Sequence, residues 1–237
     1  MGKNKVSLAG LKKQVYKMHL KRQKVPKHWP LHRKGTKYVV RPGSNMKTGI
    51  PVLVILRDML KIVQNRKEAK KIIHAKAVLL NNKVIRDEKN SVLLFDVITI
   101  AYPKSRKNYE LTLSDKGKFD IKELNDNEAG QKIVKIVNKK ILKGKKVQLN
   151  FGDGRNILSD IKCKVNDSVL INFKDNKIEK CLELKERVRV MVIGGKHAGK
   201  SGVISKIDQE KRIVELNVGD KDKSKINVLI KHLIVVG

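Results

Sequence analysis

Gly194, Gly199, Lys200 and Ser201 stand in the order Gly-x-x-x-x-Gly-Lys-Ser. In that pattern backbone N–H groups cradle nucleotide phosphates, a lysine reaches the terminal phosphates and a hydroxyl holds magnesium. A run of alternating valines, residues 187–193, precedes it as a strand, which that chemistry requires. The segment after Ser201 does not fit. A phosphate loop must open a helix, yet Gly202-Val203-Ile204-Ser205-Lys206-Ile207 is β-branched and roughly alternating. After Ser201 come 36 residues, fewer than the strand–helix–strand units of roughly 30 residues each that a nucleotide-binding domain needs. Nucleotide hydrolysis is therefore not expected. The same glycine turn, flanked by Lys196, His197 and Lys200, still offers backbone N–H and ammonium groups that suit a nucleic-acid phosphate.

Other reactive side chains form no constellation. His28 and His32 have a metal-like spacing, but lysines crowd both and no second ligand pair accompanies them. Cys163 and Cys181 lie 18 residues apart with no Cys-x-x-Cys pair, which indicates neither a zinc site nor a disulfide framework. The sequence thus predicts no catalytic set, no metal, no cofactor and no small-molecule substrate.

The dominant chemistry is charge. With 55 Lys and Arg against 23 Asp and Glu, the 237 residues carry a formal charge of +32. Its distribution is more telling: Asp58 is the first carboxylate, and the residues before it hold 15 Lys and Arg. A long single-sign block repels itself and is expected to be disordered until a polyanion orders it. Each neutralised phosphate releases condensed counterions, so such a chain gains affinity for nucleic acid without reading any particular base. No apolar run reaches the roughly 18 residues of a membrane span, and the N-terminus has charges without an apolar core. A reduced, cytoplasmic protein is expected.

Several small modules must position these charges, since aromatics make up 4% of the chain and charged residues 33%. The expected fold is α+β and multidomain: a basic extension over 1–45, a small helical/β unit over 46–103, a β-rich centre over 104–186 and a β module over 187–237. In the extension, Leu8, Leu11, Val15 and Met18 have helical spacing, so a short helix is expected over 8–20. Pro26 and Pro30 bracket the single tryptophan, Trp29. Its ring could anchor apolar surface or stack on a base.

Leu53, Leu56, Leu60 and Val63 share a helical face over 52–63. A second helix over 67–75 puts Ala69, Ile72 and Ile73 in one arc and Lys67, Lys70 and Lys71 in the opposite one. Strands are expected at 77–80 and 97–101, closing a compact unit near Pro103. Beyond it, alternating runs at 110–113, 118–121, 147–151, 168–173 and 178–184 read as strands, with one helix over 128–137. Further strands are expected at 203–207, 213–218 and 226–230.

These residues carry a family resemblance. Strand, Gly-Gly-Lys-His-Ala-Gly-Lys-Ser-Gly and strand resemble a KOW module, a small SH3-like barrel whose turn often contacts RNA. Arg57-Asp58 with Leu60, Glu68-Ala69 with Ile72 and Ile73, Val78 and Asp96-Val97-Ile98 resemble the S-four RNA-binding domain. Both follow His19-Leu20-Lys21-Arg22 and Pro26-Lys27-His28-Trp29, with Asp153-Gly154-Arg155-Asn156 between. That order resembles the e-type small-subunit ribosomal protein four family of archaea and eukaryotes, and the wording from Trp29 to Lys34 is closer to its archaeal members.

The resemblance implies a non-catalytic, architectural protein of the cytoplasmic small ribosomal subunit, partnered by small-subunit ribosomal RNA and neighbouring ribosomal proteins. It implies RNA contacts at Lys21, Arg22, Lys24, Lys27, His28, Trp29, Arg33, Lys34 and Arg41 in the extension. In the helical unit it implies Arg57, Arg66, Lys67, Lys70, Lys71 and Lys76, and in the glycine turn Lys196, His197 and Lys200. The alternative is an RNA-binding transcription or RNA-processing factor built from the same modules, which would require a polymerase-binding or catalytic domain that the sequence does not display.

Overall fold

The computed structural model describes residues 19–101, 105–159, 161–218 and 224–236. They are mostly strand, arranged as three five-stranded antiparallel sheets with two small two-stranded pairings and little helix.

The helix Arg66–His74 has its start written in the sequence. The Asn65 side chain accepts from the Glu68 N–H at 3.0 Å, and the Glu68 carboxylate reaches back to the Gln64 N–H at 2.8 Å, a reciprocal capping that satisfies two otherwise unpaired donors. Ala69 and Ile73 are buried, while Lys67, Lys70 and Lys71 lie on the exposed side. The helix expected over 52–63 is shorter, comprising Val52–Val54 and a wider turn over Ile55–Met59. Val52 to Leu56 are buried on every side, so this segment is a core plug rather than an amphipathic surface helix. Lys61, with φ of 54°, turns the chain out of it.

These helices accompany a sheet ordered Lys83–Val84, Val78–Leu80, Val97–Ala101, Arg106–Leu113, Phe119–Leu124. Val97–Ala101 pairs with Arg106–Leu113 from Val97 opposite Glu110 to Ala101 opposite Arg106. The boundary expected at residue 103 therefore falls between two paired strands.

The helix expected over 128–137 is not formed. A single 3-10 turn, Glu128–Gly130, gives way to the strand Gln131–Ile141, central in a sheet ordered Asn156–Leu158, Val147–Phe151, Gln131–Ile141, Ser168–Asn172, Ile178–Leu182. Its first half pairs with Ser168–Asn172 and its second with Val147–Phe151. β-branched Ile133, Val134, Ile136 and Val137 favour that outcome. The third sheet runs Ser224–Leu229, Ile213–Val218, Ser201–Asp208, Arg189–Val192, Leu233–Val235, so that its last strand returns beside its first after a 3-10 turn at Ile230–His232. Val190, Val192, Ile204, Val214, Leu216 and Leu233 fill its interior.

The basic leader is not loose where it is described. Leu20–Lys21 pairs with Tyr38–Val39, and Leu20 and Trp29 are buried in the same apolar cluster as Val52–Leu56 and Phe119. The Phe119 N–H donates to the His28 carbonyl at 2.8 Å. Burial of these two apolar anchors opposes the self-repulsion over the described part of the leader. The expected helix over 8–20 lies outside the described residues except at its end, where Leu20 is in a strand.

Buried polar groups tie the sheets together. Lys132 Nζ, on the central sheet, donates to Asp96 of the first sheet at 2.7 Å and lies 3.4 Å from Asp153. The Asn81 amide also donates to Asp96, at 2.8 Å. Lys135 Nζ donates to the carbonyl of Leu233 at 2.9 Å and to that of Ile230, and Val235 N–H donates to Ser168 Oγ at 2.9 Å. Such charges are tolerable in a core because their hydrogen bonds are supplied by the facing sheet.

Candidate nucleic-acid interface

The glycine turn shows what its glycines are for. Gly199 N–H donates to the Val192 carbonyl at 2.8 Å, Val192 N–H to Lys200 at 2.9 Å and Lys200 N–H to His197 at 3.2 Å. These donors close a hairpin instead of opening towards a phosphate, and the next element is the strand Ser201–Asp208. Gly195 and Gly199 have φ of +87° and +91°, a region that favours glycine. A Cβ on Gly199 would sit 1.9 Å from the Ser114 carbonyl oxygen, and one on Gly117 would lie 3.2 Å from that of Ala198. The turn is thus pressed against the 114–117 turn of the first sheet. Lys196 remains exposed, whereas His197 and Lys200 are half-buried.

The expected contact residues divide by what they already hold. Arg22 donates to the Thr36 carbonyl at 2.7 Å, the His32 carbonyl at 2.8 Å and Thr36 Oγ1 at 2.9 Å, clamping the 32–36 loop. Arg57 pairs with Asp58 at 2.8 Å, and Arg66 donates from Nε to Glu88 at 2.9 Å. Trp29, 2% exposed, is the apolar anchor of its two readings, and its ring is closed to base stacking. His28 is half-buried, edge-on to Phe119 with centroids 4.9 Å apart. Burial lowers its pKa, disfavouring the charged imidazolium. Arg41 is half-buried.

By contrast Lys21, Lys24, Lys27, Arg33 and Lys34 are exposed, as are Lys67, Lys70, Lys71, Lys76 and Lys196. Among the described residues the ion pairs engage Arg57, Arg66, Lys132, Arg155 and Lys185, and none of these ten. Lys76 sits at φ of 58°, just past the end of the helix that carries Lys67, Lys70 and Lys71.

Sequence reasoning passed over a second group of lysines. Lys47, Lys116 and Lys118 are exposed and border a cleft of about 780 Å³ to which all three sheets contribute, together with Lys27 and Lys196. Asp115-Lys116-Gly117 is a turn-type sequence, but its position opposite Gly199 depends on contacts between segments some 80 residues apart.

Among the described residues, no group of three or more His, Cys, Asp and Glu is placed to hold a metal ion, and no helix is long and apolar enough to cross a membrane. Cys163 is buried beside Cys181 in the central core. Burial, with the neighbouring Cys163 thiol, pushes the Cys181 pKa up to about 12, so this thiol stays protonated and unreactive.

The chain matches three family models: Ribosomal family S4e over residues 105–178, the RS4NT domain over 16–44 and the KOW motif over 189–217. It is 40% identical over 192 residues to small ribosomal subunit protein eS4 of Archaeoglobus fulgidus, covering 80% of each chain. It is 33% identical over 234 residues to the eS4 protein of Methanocaldococcus jannaschii, covering 93% of this chain and 94% of the relative. The crystal structure of 30S ribosomal protein S4e from Thermoplasma acidophilum superposes with a TM-score of 0.69 at 26% identity, over 80% of this chain and 95% of that one.

Proposed function

Because the chain belongs to the eS4 family of small ribosomal subunit proteins, a structural and non-enzymatic family, we propose that it binds small-subunit ribosomal RNA through exposed lysines and supports the folding of that RNA during assembly. The observation that carries this reading is the set of ten exposed basic side chains without ionic partners among the described residues, spread over the leader, the Arg66–His74 helix and the glycine turn. A protein surface normally mixes both signs of charge, and an unpaired excess of one sign is the footprint of a phosphate backbone. Lys21, Lys24, Lys27, Arg33 and Lys34 would hold one stretch of backbone, and Lys67, Lys70, Lys71 and Lys76 another. Lys196 would meet RNA near the junction of the sheets. Arg22, Arg57 and Arg66 position backbone and helix instead, because their guanidinium groups are already engaged. Neighbouring ribosomal proteins complete the set of partners, and the protein works in the cytoplasm, within the small subunit.

The test is the salt dependence of binding to small-subunit ribosomal RNA. Affinity should fall by orders of magnitude when monovalent salt is raised a few-fold, with a log–log slope of about 0.7 to 0.9 per phosphate contacted. A salt-independent affinity would contradict the proposal.

A further inference from the structure

The outer half of the central sheet carries rows of amides. Where Gln131–Ile141 runs beside Val147–Phe151 and Asn156–Leu158, Asn138 stands opposite Asn150, and Asn150 opposite Asn156. In the next row Lys140 stands opposite Gln148, and Gln148 opposite Leu158. Strand alternation puts both rows on one face. It is the face away from the core, because Leu149, between Gln148 and Asn150 in the chain, is buried with Ile157 packed against its cluster. Lys135, before the register shift at Val137, reaches the third sheet, whereas Asn138, after it, is exposed. Asn138, Lys140, Asn156 and Leu158 all face solvent, and Gln148 and Asn150, on the middle strand, are half-buried.

In a chain of which 33% is charged, these rows hold four amides, one lysine and no carboxylate. Few of the amide atoms are engaged. Asn138 Oδ1 accepts from the Lys139 N–H at 2.8 Å, and Gln148 Nε2 donates to Asn150 Oδ1 at 2.9 Å. The NH2 groups of Asn138 and Asn150 and the whole amide of Asn156 have no side-chain or backbone partner among the described residues. Each such amide can donate and accept at once. At strand spacings of roughly 4.8 Å, a row across three strands is about 10 Å wide. Lys143 and Lys146, both exposed, follow at the end of the hairpin, so the local charge is positive.

We infer that this face docks against the minor groove of an RNA duplex, its amides hydrogen-bonded to ribose 2′-hydroxyls and base edges, with Lys140, Lys143 and Lys146 on the flanking phosphates. The inference rests on the reading that the chain binds RNA and adds to it a contact that reads more than phosphate. The minor groove of an A-form helix is wide and shallow and displays 2′-hydroxyls, each a donor and an acceptor. A flat face of donor–acceptor amides matches that surface, and positive charge without a carboxylate suits its backbone. Single-stranded RNA fits less well, because neither row holds an aromatic ring on which a base could stack. A protein partner also fits less well, because Leu158 alone is too little apolar surface for the core of an interface.

Binding of an RNA duplex, its 2′-O-methylated counterpart and the DNA duplex of the same sequence would be measured by fluorescence anisotropy over a range of salt. The proteins are the wild type and Asn138→Ala/Asn156→Ala, which alters two exposed side chains and no charge. The wild type should bind the RNA duplex about ten-fold more tightly than either of the others, the scale of two neutral hydrogen bonds. The double variant should lose that preference and keep the wild-type salt slope, since no phosphate contact goes with the amides. If it fails to fold, Asn156→Ala alone should lose about three-fold on the RNA duplex. Equal wild-type affinity for the three duplexes, a preference that survives in the folded variant, or a flattened salt slope would overturn the groove contact while leaving lysine–phosphate binding intact. No salt-dependent binding to any duplex would overturn both. An undiminished RNA preference in a variant that no longer enters reconstituted small subunits would assign the face to a neighbouring protein and overturn the inference.

Discussion

Gly199 has room for no side chain, because the Ser114 carbonyl occupies the place of its Cβ and its φ of +91° disfavours any L-residue. Gly199→Ala should therefore destabilise the protein by at least about 2 kcal/mol, read as a lower urea midpoint. Lys200→Ala, at a half-buried side chain, should cost well under half of that. A nucleotide-binding turn would show the opposite priority, with the lysine indispensable. The pattern Gly-x-x-x-x-Gly-Lys-Ser was legible as a glycine turn between strands, but the partner that demands glycine lies 85 residues earlier in the sequence and left no local trace. Trp29 was ambiguous for the same reason, since only the fold shows that its ring joins Val52–Leu56 in the core.

Lys135 is the other residue with a measurable signature. Burial lowers its pKa from the ordinary 10.5 to about 8, so between those values the unfolded chain binds more protons than the folded one. Stability must then rise as pH climbs from about 8 to 10.5, by up to about 3 kcal/mol from this group. Lys135→Met, which keeps the length and removes the titration, should abolish that part of the pH dependence. Denaturant midpoints across this range for both proteins give the comparison, and identical slopes would mean that Lys135 is not desolvated.

Among the elements, the helix expected over 67–75 forms as Arg66–His74, one residue earlier at each end, with the expected inward and outward faces. Its signals are local, namely Asn65 and Glu68 at the start, Ala69 and Ile73 inward, and lysines outward. Replacing Lys67, Lys70 and Lys71 together by Gln should leave stability within about 0.5 kcal/mol, since none packs in the core. The slope of RNA affinity against salt should fall by roughly two units in log–log form. Unchanged RNA binding in that variant would remove the helix from the interface.

The strand Gln131–Ile141 shows where local reading failed. Ala129, Ile133 and Val137 have helical spacing, yet Val134 and Ile136 point into the central core while Lys135 reaches the facing sheet. A strand buried on both faces has no clean alternation, and its lysines hide it further because they are satisfied by groups distant in sequence. Val137 then stands exposed where the register shifts between the two halves, a bulge that no periodicity announces.

At the scale of the whole molecule, composition carries the charge argument while the architecture is less visible in it. A charge of +32 with an acid-free leader pointed to a polyanion, and among the described residues the buried lysines are Lys132 and Lys135, both satisfied by the facing sheets. The arrangement of modules was less visible. The leader packs on the first sheet, that sheet runs past residue 103, and Lys132 and Lys135 join the central sheet to the other two. These contacts cross the chain at long range and join the modules to one another.

By its family this body resides in the small ribosomal subunit, and the proposed phosphate contacts would hold it there. A sucrose gradient of cell lysate in magnesium, probed for the protein, tests it most directly. The protein should sediment with the small subunit and be released from it only by a high-salt wash, as many lysine–phosphate contacts require. Protein that remained in the soluble fractions at low salt, apart from small subunits that had retained their RNA, would contradict the account.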